Sequence, residues 1–163
     1  MNLTSENTAI VLEDDCVADP SFFAYASELL ARYRDDHRVW QISGNNFGVP
    51  ETLLSGTSYG FTAWGSVWGW ATWADRWQAH RQVFTRDHAS GSAPVRTRPA
   101  SPEIAGLVTQ SGRRHFAEAA VSEDVVTHGW DKHWWLTMMT LGGLAITPAR
   151  NLVENVGWGA DAS

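Results

Sequence analysis

Thr8-Ala9-Ile10-Val11-Leu12-Glu13-Asp14-Asp15 is the stretch on which the fold turns: a short apolar run that ends abruptly in three acids. It reads as a buried strand whose C-terminal end delivers Glu13, Asp14 and Asp15 to a cleft. Immediately beyond, Asp19-Pro20 has the signature of a helix start. Asp is the N-cap and Pro takes the first helical position, where its missing N–H is no loss. Phe22, Phe23, Ala26, Leu29, Leu30 and Tyr33 then recur at helical spacing and make one apolar face. Asp35-Asp36 closes this helix, and Val39-Trp40-Gln41-Ile42-Ser43 reads as the next strand. Strand, helix and strand in this order imply a crossover unit, and so an α/β sheet.

Gly44-Asn45-Asn46 is a turn signal at the end of that second strand. Ligands of open α/β sheets bind beyond the carboxyl ends of strands, so this loop and the acidic triplet are expected to face one cleft. A Gly-rich aromatic segment follows, from Tyr59 through Trp64-Gly65-Ser66-Val67-Trp68-Gly69-Trp70 to Ala71-Thr72-Trp73. Its glycines permit close backbone approach, and its indoles are suited to wall a pocket. A short helix is expected over 74–80. Residues 86–102, rich in Ser, Arg, Pro and Gly with no apolar period, read as a flexible loop. Residues 104–121 look helical with a break near Gly112, and Trp130 to Leu141 forms a helix stopped by Gly142-Gly143. Leu144-Ala145-Ile146-Thr147 is the last strand, ended by Pro148. There is no internal repeat.

With 163 residues, 44% hydrophobic and 18% charged, the chain fits one globular domain. Its 12 Lys and Arg against 18 Asp and Glu give a formal net charge of −6. Nucleic-acid binders show the opposite balance, so nucleic acid is not an expected partner. No run approaches the ~20 apolar residues of a transmembrane segment, and residues 1–6 show neither the basic nor the apolar region of a secretory signal. The single cysteine, Cys16, excludes an internal disulfide and a multi-cysteine zinc site, and favours a reducing, cytoplasmic setting. Ten tryptophans are more than a domain of this size needs. Most are expected to fill the core, although indole faces also stack on the C–H faces of sugars, which makes a carbohydrate substrate compatible.

Three adjacent carboxylates raise one another's pKa unless something positive offsets them, and a divalent cation does so. Mn²⁺ and Mg²⁺ take oxygen ligands and leave positions for substrate phosphates. A solvated turn is the commoner fate of acidic clusters, and suffices for Asp35-Asp36 and Glu123-Asp124. At Glu13-Asp14-Asp15 the apolar strand before them favours a metal. The second constellation is Trp130-Asp131-Lys132-His133-Trp134-Trp135. Asp131 stands in the first turn of a helix between large aromatics, where desolvation would suit it to general-base work while the helix dipole would oppose that shift. His128 and His133 are possible metal nitrogens, but single histidines are more often surface or core residues.

Taken in order, these motifs resemble the GT-A glycosyltransferases. Val11-Leu12-Glu13-Asp14-Asp15, Asp19-Pro20-Ser21-Phe22-Phe23 and Trp40-Gln41-Ile42-Ser43-Gly44-Asn45-Asn46 carry the likeness. It continues through Trp68-Gly69-Trp70-Ala71-Thr72-Trp73, Trp130-Asp131-Lys132-His133-Trp134 and the stretch from Pro148 to Gly159. The chain is most similar to bacterial sugar transferases grouped with family 2, and more distantly to the animal N-acetylglucosaminyltransferase I enzymes. The resemblance implies an α/β GT-A fold, the Rossmann-like fold of nucleotide-diphospho-sugar transferases, with a mixed sheet flanked by helices. It also implies a nucleotide-binding half before the acidic motif. Only residues 1–8 precede the first recognisable strand here, so the chain reads as N-terminally truncated, a single partial domain over 1–163.

By the same resemblance, Asp15 is the ligand of Mn²⁺ or Mg²⁺, and Glu13 and Asp14 lie near the ribose and sugar of the donor. Asn45, Trp68, Gly69 and Trp70 join the donor and sugar site. Asp131 is the general base that deprotonates the acceptor hydroxyl, which makes the reaction inverting. The donor is a nucleotide sugar, with UDP-sugar favoured, and the acceptor a glycan or glycolipid. The alternative is a catalytically inactive, carbohydrate-binding remnant of such an enzyme.

Overall fold

The structure, a computed structural model, describes residues 7–47, 54, 56–89 (backbone alone after residue 83) and 129–157. Strand β1 (Thr8–Val11) is followed by a tight turn, a short strand β2 (Cys16–Ala18) and helix α1 (Pro20–Arg32). Then come β3 (Val39–Ser43), β4 (Tyr59–Thr62), β5 (Trp70–Trp73) and α2 (Ala74–Ala89). Helix α3 (Trp130–Thr140) leads into β6 (Leu144–Pro148) and β7 (Val153–Asn155).

The expected helix start is present. Asp19 has extended backbone and its Oδ1 accepts the Ser21 N–H at 2.8 Å, with Pro20 opening the helix. The Asp19 carboxyl is held below its ordinary value by that bonding. Of the expected apolar face, Phe22, Ala26, Leu29 and Leu30 are buried, whereas Phe23 is exposed and Tyr33 half-buried.

Five strands form one mixed sheet in the order β1-β5-β3-β6-β4. β3 pairs parallel with β6, while β5 lies antiparallel between β1 and β3. Sequence reading joins β1 and β3 by a crossover and leaves β5 unseen, because a strand buried on both faces shows no alternation of apolar and polar residues. β1 is half-buried along its length, as its place at the sheet edge dictates. A separate antiparallel ribbon joins β2 to β7, neither of which has a strand signature in sequence. The Gly-rich aromatic segment is therefore largely sheet and core, and β6 is not the last strand. α2 extends well past His80 and takes in the start of the stretch read as a loop. The remainder of that stretch, and the helix expected over 104–121, lie outside the described residues.

Two apolar clusters cover the two faces of the sheet. One gathers Phe22, Ala26, Leu29 and Leu30 of α1 against Val39, Ile42, Ala71, Trp73 and Ile146. The other gathers Trp134, Trp135, Leu136 and Met138 of α3 against Trp40, Trp70 and Ala145. Half of the ten tryptophans go to the core, fewer than expected: Trp40, Trp70, Trp73, Trp134 and Trp135 are buried, whereas Trp77 and Trp130 are exposed. Several keep their indole N–H occupied. Trp73 donates to the Leu30 carbonyl and Trp134 to Gln41 Oε1, and the fully buried Gln41 amide in turn donates to the Ser66 carbonyl. Among the described residues, no helix is long and apolar enough to cross a membrane.

Candidate metal centre

Strand register brings the candidate residues to one edge of the sheet. Val11, at the end of β1, pairs with Trp70 at the start of β5, and Trp70 pairs with Ser43 at the end of β3. The acidic triplet and the Gly44-Asn45-Asn46 loop therefore leave the sheet at the same side. Gly44 N–H donates to the Gly69 carbonyl at 2.7 Å, closing the two connections on each other.

Past Val11 the chain reverses. Cys16 N–H donates to the Glu13 carbonyl at 3.1 Å, so Glu13-Asp14-Asp15-Cys16 forms a hydrogen-bonded turn. The turn separates the three acids. Asp14 is exposed at the corner, while Glu13, Asp15 and Cys16 are half-buried and draw together. One ligand atom from each of these three lies within 4.8 Å of the others. Cys16 Sγ is 3.7 Å from Asp15 Oδ1. Sequence reading passes over Cys16 as a lone cysteine; only the turn reveals its neighbours.

The β2–β7 ribbon clamps this turn. Val156 N–H donates to the Asp15 carbonyl at 2.8 Å, and Asp19 N–H to the Leu152 carbonyl at 2.9 Å. Gly157 then lies against the Asp15 carboxylate: a Cβ there would fall 2.6 Å from Asp15 Oδ2. Asn155 stands directly opposite Cys16 in the ribbon, which puts the two side chains on one face. Its Oδ1 is buried and accepts no hydrogen bond.

Charge at the site is concentrated. Glu13 has its pKa raised, first by burial and then by the charges of Asp15, Asp131 and Asp14. The Cys16 thiol is also pushed up by burial and by Asp15 and Glu13, against the opposing pull of a hydrogen bond from the Glu13 backbone. Asp131, half-buried in the first turn of α3, thus acts on Glu13 from a distant part of the chain. By contrast, Asp36 is paired with Arg38 at 2.7 Å and its carboxyl falls to about 2, the ordinary state of a surface acid beside a cation.

The donor set fits a divalent cation. Two carboxylates supply hard oxygen ligands, their mutual repulsion is the penalty a cation removes, and the Asn155 oxygen is a buried acceptor without a donor. Cys16 adds a soft sulfur at the same spot, which sequence reading does not anticipate.

The other expected site residues divide into two groups. Asn45 is buried, and its amide holds the scaffold: Nδ2 donates to the Val153 carbonyl at 3.0 Å and Oδ1 accepts the Phe47 N–H at 2.7 Å. Gly69 has φ +65°, and a Cβ there would meet Val153 Cγ2 at 2.6 Å. Trp70 is 2% exposed, so its ring belongs to the core and offers almost no surface to a ligand. These three shape the site from behind. Trp68 is half-buried and packs on the exposed Phe47 with ring centroids 5.3 Å apart. His133 is buried within α3 and stands apart from the Glu13-Asp15-Cys16 group, whereas His128 lies outside the described residues. No protein-family model matches the chain, and no curated protein matches it in sequence.

Proposed function

We propose that the chain carries the metal-binding and acceptor-side part of a metal-dependent, inverting glycosyltransferase of the GT-A type. In this reading a sugar moves from a nucleotide-diphosphate donor, a UDP-sugar, to a hydroxyl of a glycan or glycolipid. The observation that carries the reading is the gathering of Glu13, Asp15 and Cys16 in one turn, within range of the charge of Asp131 from a distant part of the chain. Glu13 and Asp15 come together at the end of β1, and Asp131 at the start of α3 lies near enough to raise the Glu13 pKa.

Asp15 and Glu13 would hold Mn²⁺ or Mg²⁺. When bound, such a cation supplies the positive charge that stabilises a departing diphosphate. Asp131 would accept the proton of the attacking acceptor hydroxyl on a carboxylate oxygen. The acceptor oxygen then forms its bond to the anomeric carbon as the bond to the diphosphate breaks on the opposite side, inverting the centre. Trp68 and Phe47 would border the donor sugar. Asn45, Gly69 and Trp70 contribute by fixing the backbone and the core beneath.

The test is ligand-linked stability. Mn²⁺ with UDP should raise the Tm of the chain, since a ligand that binds only the folded state stabilises it. Asp15→Ala should remove the rise, and Asp131→Asn should keep it while abolishing transfer. A wild-type Tm indifferent to Mn²⁺ and UDP, at concentrations up to several millimolar, counts against donor binding.

A further inference from the structure

Trp130 is a large aromatic that the core does not account for. It is 44% exposed, unlike Trp134 and Trp135 further along the same helix, which are at most 8% exposed. Yet it is held in place. Its ring is stacked on Trp70, 22° from parallel with centroids 6.1 Å apart. Trp70 is itself wedged against Trp134 at 5.1 Å and almost fully buried. One face of the Trp130 indole is thus backed by a rigid core ring, and nearly half of the residue's surface is open to solvent. Exposing that area is unfavourable in water.

Position says what the open surface would meet. Trp130 immediately precedes Asp131, whose charge acts on Glu13, and the ring beneath it, Trp70, pairs with Val11 two residues before Glu13. The platform therefore lies at the rim of the carboxylate site. A flat apolar surface beside acceptor-only carboxylates suits a ligand with an apolar face and a hydroxyl-bearing edge. A pyranose ring has both: C–H groups on one face to lie on the indole, and hydroxyls around its edge to donate to carboxylates.

The geometry points to Trp130 as the stacking platform of the acceptor saccharide, seating one pyranose ring so that a hydroxyl at its edge reaches Asp131. This rests on the transferase reading for the role of Asp131, but the platform itself requires neither metal nor nucleotide. It predicts saccharide binding that is independent of Asp15.

Saturation-transfer NMR of the full chain tests this. The probes are methyl β-D-glucopyranoside, methyl β-D-galactopyranoside, methyl N-acetyl-β-D-glucosaminide and methyl α-D-mannopyranoside, in EDTA and without nucleotide. At least one should receive saturation, strongest at the C–H protons of a single ring face. Trp130→Ala should weaken that binding about tenfold, while Trp130→Phe, which keeps a flat ring on Trp70, stays within about threefold. Asp15→Ala should leave it unchanged. Far-UV circular dichroism confirms that each variant is folded. Transfer to none of the four glycosides, or equal transfer in folded Trp130→Ala, overturns the proposal. If Trp130-dependent binding is present but Mn²⁺ with UDP has no effect on Tm, the platform stands and the transferase reading fails. If Mn²⁺ and UDP bind but Trp130→Ala changes nothing, the platform alone is wrong.

Discussion

Asp14 and Asp15 are neighbours in sequence but stand in different surroundings, because the turn closing on Cys16 leaves Asp14 at its corner and folds Asp15 under Gly157. Their substitutions should therefore differ. Asp14→Asn should leave Mn²⁺ affinity within about threefold, as an exposed charge is screened by solvent. Gly157→Ala should weaken Mn²⁺ binding about tenfold, the scale on which metal sites respond to loss of a supporting contact. It does so by displacing the Asp15 side chain, whose Oδ2, Cβ and Cγ would lie 2.6, 3.0 and 3.2 Å from the added methyl group. Isothermal titration with Mn²⁺ measures both, and equal losses in the two variants would refute this account of the turn. The acids are legible in sequence as a cluster. Their separation is not, because it depends on a backbone reversal and on a ribbon partner that arrives from residues 153–157.

At the level of elements, α1, β1, β3 and α3 are readable because each carries its own signal: a cap, a period, a glycine stop. β2, β5 and β7 are not. β2 and β7 have three residues each, and their pairing joins distant parts of the chain. Trp70-Ala71-Thr72-Trp73 is buried on both faces, so it lacks alternation and invites the reading of a pocket wall. Asn45 and Gly69, which the resemblance assigns to the donor site, pack the β3 and β5 ends against Val153 of β7. Gly69→Ala should cost about 1–3 kcal/mol in urea unfolding, combining a positive φ with a clash against Val153. Asn45→Ala should cost a similar amount, roughly 1–3 kcal/mol, by stranding the buried Val153 carbonyl and Phe47 N–H. Unchanged stability in either would place these residues outside the scaffold.

Across the whole molecule, the α/β class and mixed sheet are recoverable from sequence, and the convergence of residues 13–16 with Asp131 is what folding adds. The same packing buries His80 between α2 and α3, where its Nδ1 lies 2.9 Å from Thr137 Oγ1. Burial, and then the charge of His133, lower the His80 pKa from 6.5 to about 4. Because the folded value is the lower one, this contribution is present above pH 6.5 and is lost as pH falls toward 4. Between pH 7 and pH 4.5 the wild type should lose about 2 kcal/mol more than His80→Gln in urea unfolding. Identical pH profiles would show that His80 protonates freely in the folded state.

Electron paramagnetic resonance of Mn²⁺ is the sharpest probe of a divalent cation held at the end of β1. Titrated into the wild-type chain, Mn²⁺ should lose its free-ion signal with one-to-one stoichiometry. That loss should be abolished in Asp15→Asn, weakened at least about tenfold in Glu13→Gln, and unaffected in Asp36→Asn, whose carboxylate is engaged by Arg38. A free-ion signal that persists in the wild type, or falls equally in Asp15→Asn, would rule out a cation site built on Asp15.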